Sequence, residues 1–172
     1  LLFTPILAQS NFFIGLMKVL IKRATVLSPS SSFHGTSQDI LIDNGIISAI
    51  DNELKVNTDK TIEVDGLHIS CGWMDCFANF CDPGQEFKET LETGANAAAA
   101  GGFTQVMLIP NTRPVVYNKS QVEYLVQKSK TLPVQIFPIG SATKNAEGKE
   151  LSEMYDLHNT CAIAVTDGLH PI

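Results

Sequence analysis

Apolar and polar positions follow one grammar before Cys71 and another after it. Residues 18–27 (KVLIKRATVL) are rich in β-branched side chains and predict a strand, and residues 28–37, with Pro29 and several serines, predict a turn-rich link. Residues 39–42 and 45–50 flank Asp43-Asn44-Gly45. Asn-Gly between two apolar runs is the strongest short-range signal for a hairpin. Residues 61–64 and 68–70 flank a second turn at Asp65-Gly66. The first part of the chain is therefore expected to be a small sheet without a helix.

Beyond Cys71 the pattern alternates between short apolar runs and longer mixed ones. Residues 73–80 predict a strand and 88–100 a helix rich in alanine, which Gly101-Gly102 should cap. Residues 104–109 form a continuous apolar strand, 118–130 a helix, and 134–139 a strand bounded by Pro133 and Pro138. A helix over 148–158 and a strand over 161–165 complete the order. Fully apolar strands alternating with helices predict a parallel sheet with crossover connections.

A small sheet followed by βα units fits either a doubly wound sheet or a (β/α)8 barrel, and a barrel needs eight strands and roughly 250 residues. The expected fold class is α/β. A small N-terminal β-sandwich-type sheet over residues 17–70 precedes the first four βα units of a (β/α)8 TIM barrel over 71–172, truncated after the fourth. Residues 1–16 are broken by Thr4, Pro5, Gln9, Ser10 and Asn11 and fall short of a membrane span. They are expected to be an upstream or non-native extension ahead of Met17, the alternative being the tail of a signal peptide. With no secure targeting signal, the expected location is the cytoplasm.

Composition narrows the function classes. Of 172 residues, 44% are hydrophobic and 17% charged, enough apolar matter for a core. Twelve Lys and Arg against 18 Asp and Glu leave a net charge of −6. That balance argues against nucleic acid and anionic membranes as partners, since neither is bound without clustered positive charge. Cys71, Cys76, Cys81 and Cys161 contain no CxxC pair and read as free thiols.

Ligands of parallel βα folds gather at the carboxyl ends of the strands. There Asn111 and Asp167 are the best candidates, each a short polar side chain in a tight loop. The alternatives are that Asn111 closes the turn before Pro114 and that Asp167 caps its loop at Gly168. Arg113 either binds a carboxylate or is solvated. Lys88, Glu89 and Glu92 are expected on a solvent-facing first helical turn, where acids complement the helix dipole. His34, His68 and His158 suit structural or surface roles, and His170, three residues after Asp167, is the one histidine near a strand end.

The segment GWMDCFANFCDPGQEFKETLETGANAAAAGGFTQVMLIPNTRP, followed by GKELSEMYDL and AVTDG, resembles the dihydroorotases of the amidohydrolase superfamily, in the branch found in multifunctional pyrimidine-pathway complexes. With DILIDNGIISAI in the front sheet, the resemblance runs from about Met17 to Ile172. It implies a metal-dependent (β/α)8 barrel beside a small β domain, and reversible cyclisation of N-carbamoyl-aspartate to dihydroorotate by a zinc-activated hydroxide. It also places Asn111 on the substrate-binding asparagine and Asp167 in the metal-binding loop, which usually carries two acids before its glycine.

A His-x-His pair on the first strand belongs to that pattern, because residues i and i+2 share a face and can grip one metal. Here the pair falls on Phe77 and Asn79, and the arginine that holds the substrate carboxylate falls on Cys81. Pro83, Gly84, Gly102, Pro110 and Pro114 nevertheless all stand. Two expectations follow. One is a dihydroorotase-like protein of de novo pyrimidine biosynthesis without activity, a pseudoenzyme whose zinc is absent or weakly held. Its structural partner would be aspartate carbamoyltransferase, as for inactive relatives in the superfamily, or a second copy. The other is an active dihydroorotase or related cyclic amidohydrolase with a non-standard metal site using Asp167, His170 and ligands beyond residue 172.

Overall fold

The computed structural model describes residues 17–171, which fall into two compact units, 17–71 and 72–171.

The first unit is a five-stranded mixed sheet built on β1 (Lys18–Leu27). β1 pairs antiparallel with β2 (Ser37–Asp43) and parallel with β4 (Lys60–Glu63) and β5 (His68–Ser70). β3 (Ile46–Asp51) adds to the far side of β2 through the expected hairpin, in which Asn44 and Gly45 both have positive φ (53° and 79°). That is the backbone a two-residue turn needs to match strand twist, and Asn-Gly tolerates it best. β1 and β2 carry the buried apolar residues of this unit: Val19, Leu20, Ala24, Val26 and Ile40. A register shift between Ile21 and Ala24 bends β1, and the buried Asp39 accepts the Arg23 N–H there (2.9 Å) and that of Leu54 (3.0 Å). The carboxylate thus satisfies a donor that the bulge withdraws from the ladder.

The second unit runs β6 (Trp73–Ala78), α1 (Leu91–Ala100), β7 (Phe103–Leu108), α2 (Lys119–Ser129), β8 (Gln135–Gly140), α3 (Met154–Asn159) and β9 (Ala164–Val165), with a 3-10 turn at Lys144–Ala146. Its four strands are parallel and adjacent in chain order, the topology of the first half of a barrel. Val106, Leu108 and Ile136 on the strands meet Leu91, Ala95, Val122, Leu125 and Leu157 on the helices in one buried cluster. Leu91, Leu125 and Leu157 are at most 2% exposed, so truncating any of them to alanine costs about 2–5 kcal/mol. Among the described residues no helix is long and apolar enough to cross a membrane.

Capping decides where the helices start. Thr90 caps α1 and Asn118 caps α2, each reciprocated by the residue at the third helical position (Thr93, Gln121). α1 therefore begins at Leu91, three residues later than the spacing suggests. Lys88 and Glu89 lie ahead of it, and Glu92 alone of the three expected acids and bases stands in its first turn. α3 is shorter still than expected, because Gly148 has φ +68° and Leu151 pairs with Thr143 as an isolated bridge. The last strand loses its start in the same way, since Cys161 has φ +75° and Ala164 is the first paired residue.

Candidate functional site

The carboxyl ends of β6, β7, β8 and β9 are tied together by polar contacts among their own loops. Between β6 and β7, the Arg113 N–H donates to the Pro83 carbonyl (2.9 Å), and Gly84 is pressed against the Arg113 backbone. A β-carbon on Gly84 would stand 1.7 Å from the Arg113 oxygen, so a glycine is required there. Between β7 and β8, the Ser141 N–H donates to the Val116 carbonyl (2.6 Å).

Asn111 and Asp167, the two residues expected to carry a site, are brought together. The Asn111 Nδ2 donates to the Asp167 carbonyl oxygen (3.1 Å), and its Oδ1 accepts the Leu169 N–H (3.2 Å). The Asp167 carboxylate itself faces β8. Its Oδ1 accepts the Thr143 N–H (2.8 Å) and lies 2.7 Å from Ser141 Oγ, whose single proton it shares with the Thr143 carbonyl. Its Oδ2 accepts the Thr143 hydroxyl, and Asp167 is fully buried. Burial alone would raise the Asp167 carboxyl, but the donors from Thr143 and Ser141 outweigh it and hold the group below the ordinary aspartate range. The Thr143 hydroxyl in turn accepts the Gly148 N–H (2.9 Å), which anchors the loop before α3.

β6 leads to the positions on which the resemblance sets a metal-binding pair, Phe77 and Asn79. Phe77 is 54% exposed and offers no donor atom to a metal. A register shift between Asp75 and Ala78 bends β6 at this point, and Asp75 Oδ1 takes the Phe77 N–H (2.9 Å). Asn79 Oδ1 accepts the Cys81 N–H (3.0 Å) and holds Cys81 at φ +60°. Arg113 is exposed, and among the described residues its guanidinium has no partner. His170 is exposed, close to Asp167 only through a backbone contact (3.3 Å).

A second polar cluster was not foreseen from the sequence. Asp82, 1% exposed, accepts from Leu91 N–H (3.1 Å), Tyr124 hydroxyl (3.0 Å) and Lys128 Nζ (2.8 Å). Lys128 also donates to the Tyr124 oxygen (2.8 Å), which closes a three-residue ring between the β6 loop and α2, with α1 joined to it through Leu91. Burial would raise the Asp82 carboxyl, and the bonds from Lys128, Leu91 and Tyr124 more than reverse that. The carboxylate hydrogen bond raises Lys128 in the complementary sense. Spacing of 42 and 46 residues hides such a pair from any local reading. Ser141 and Thr143 were missed for a similar reason, since a hydroxyl shows its role only once its acceptor is in place.

Zinc needs three or four imidazole, thiolate or carboxylate ligands around one point. The residues of this face do not fit that requirement: Phe77 cannot ligate, Asn79 Oδ1 is engaged, and Asp167 is buried among its donors. Among the described residues no group of three His, Cys, Asp or Glu side chains is placed to hold a metal ion.

Comparison with known proteins gives the lineage. A family model described as Dihydro-orotase-like matches residues 67–171. The dihydroorotase of Aquifex aeolicus (strain VF5) is 37% identical over 158 residues, 91% of this chain and 37% of that protein. That of Elusimicrobium minutum (strain Pei191) is 41% identical over 154 residues, 88% of this chain and 35% of that one. The chain thus spans little more than a third of the length of the curated relatives it matches. Among solved structures, the L-hydantoinase (dihydropyrimidinase) from Arthrobacter aurescens superposes with a TM-score of 0.67 at 22% identity, covering 87% of this chain and 32% of that one. A dihydroorotase crystal structure gives 0.61 at 14% identity, covering 87% and 42%. These likenesses show the fold, the first part of a (β/α)8 barrel preceded by a small sheet. The strand order, the loop motifs and the family match together establish that this chain belongs to the Dihydro-orotase-like family.

Proposed function

We propose that this chain belongs to a cytoplasmic dihydroorotase-like protein of pyrimidine biosynthesis that does not hydrolyse dihydroorotate and serves as a structural partner, with an aspartate carbamoyltransferase as the candidate for its mate. The observation that carries this reading is at the end of β6. By the resemblance Phe77 and Asn79 fall on the positions of an imidazole pair that would grip a metal, and Asn79 Oδ1 already accepts the Cys81 N–H. Losing two imidazoles from one site removes most of its affinity for zinc. Cys81 removes the cation that would meet the substrate carboxylate, a charge-assisted contact that a thiol does not replace.

The test is dihydroorotate turnover by the protein from its natural source, with and without Phe77→His, Asn79→His and Cys81→Arg together. The reading expects no turnover from the unaltered protein and a gain from the triple change. A second reading, an active cyclic amidohydrolase with a non-standard metal site, draws on the 37–41% identity to proteins named dihydroorotase. It expects metal-dependent turnover at the outset, unchanged or lowered by the triple change.

A further inference from the structure

The strand-end face is held together by hydrogen bonds at the place where a metal would otherwise cross-link it. From these contacts we propose that Asp167 is a clasp and not a metal ligand in this chain: its carboxylate locks the end of β9 to the turn at residues 141–143 after β8, and Asn111 carries the link on to β7.

Three observations support the assignment. A ligating carboxylate aims a lone pair into open space where the ion sits, whereas Asp167 is fully buried with donors on both oxygens. To reach a metal it would abandon the Thr143 N–H and hydroxyl, buried donors left without that acceptor, while the Ser141 hydroxyl would keep only the Thr143 carbonyl. The other end of the loop is equally committed. Gly168 touches the Asn111 carboxamide, and the Leu169 N–H bonds to it, so the loop cannot turn Asp167 outwards without breaking the link to β7. The clasp goes beyond the question of activity, because it can exist in an active or an inactive protein.

Two measurements test it, both on the whole protein. In the presence of a chelator, Asp167→Asn should unfold at a lower urea concentration than the parent, or not fold at all. An unused ligand position, relieved of a buried charge, would give an unchanged or higher midpoint, and that result overturns the proposal. The second needs no change at Asp167. In a Phe77→His, Asn79→His protein, both substitutions at exposed positions, zinc is added while the Asp167 carboxyl carbon is followed by NMR. The clasp predicts that this carbon does not shift, whether or not the new imidazoles take up the metal. A zinc-dependent shift of the Asp167 carbon overturns it, and turnover, which tests the proposed function, is not part of either readout.

Discussion

Gly168 lies directly against Asn111: a β-carbon built on the glycine would stand 1.8 Å from Asn111 Oδ1. Gly168 also has φ +63°, a conformation side chains resist. Gly168→Ala should therefore cost about 2 kcal/mol or more, roughly half from backbone strain and the rest from the collision. With Asn111→Ala already in place the collision is gone, and the same change should cost only about 1 kcal/mol. Urea unfolding of the four chains in a double-mutant cycle checks this, and additive costs would mean that the two residues are not in contact.

Gly94 sets two effects against each other. Replacing a glycine inside α1 with alanine gains about 1 kcal/mol of helix propensity. A β-carbon there would stand 2.5 Å from the ring of Phe80, and the ring atoms nearest it are those close to the backbone, which give least. Overpacking of that kind costs about 1–3 kcal/mol, so Gly94→Ala should be net destabilising in thermal unfolding. Combined with Phe80→Ala, which removes Cγ and both Cδ atoms, the helix gain should reappear.

Stability should fall in acid through Asp82. Its folded carboxyl is held below the value of 3.8 of an unpaired aspartate, so the unfolded chain binds the proton first as pH drops. The contribution is complete above that value and is lost as pH falls through the lower folded one. Asp82→Asn should flatten the acid limb of the stability profile as pH falls through 3.8 and below. Lys128→Met should be the more damaging change near neutrality, about 2 kcal/mol, because it leaves a buried carboxylate without its cation. The half-exposed lysine keeps that cost below the value for a fully buried pair.

Much of the fold was legible because its signals are local. The Asn44-Gly45 turn follows from two residues that tolerate positive φ, and the four parallel strands from apolar runs too continuous for a sheet with a wet face. Element ends were less legible. Thr90 competes with Lys88 for the start of α1, and a side chain that caps wins over helical spacing. Positive φ at Gly148 and Cys161 shortened the last helix and strand, and for Cys161 no residue preference announces it.

The candidate site divides along the same line. The sequence placed Asn111 and Asp167 at strand ends, and the structure brings them into contact. What the sequence could not supply is the direction of their polar atoms. Asn111 stands where a turn-closing residue would, yet it bonds across to the loop after β9, 56 residues away. Asp167 finds its partners 24 and 26 residues earlier, on Thr143 and Ser141. Satisfaction of a carboxylate is a property of packed neighbours and does not show in the order of residues along the chain.

The most direct measurement is the zinc content of the protein isolated from its natural source without chelator. An end of β6 carrying Phe77 and Asn79 predicts well under roughly one zinc per chain, with no loss of thermal stability on dialysis against a chelator. Roughly two tightly held zinc ions per chain, lost together with stability or with dihydroorotate turnover, would contradict the account.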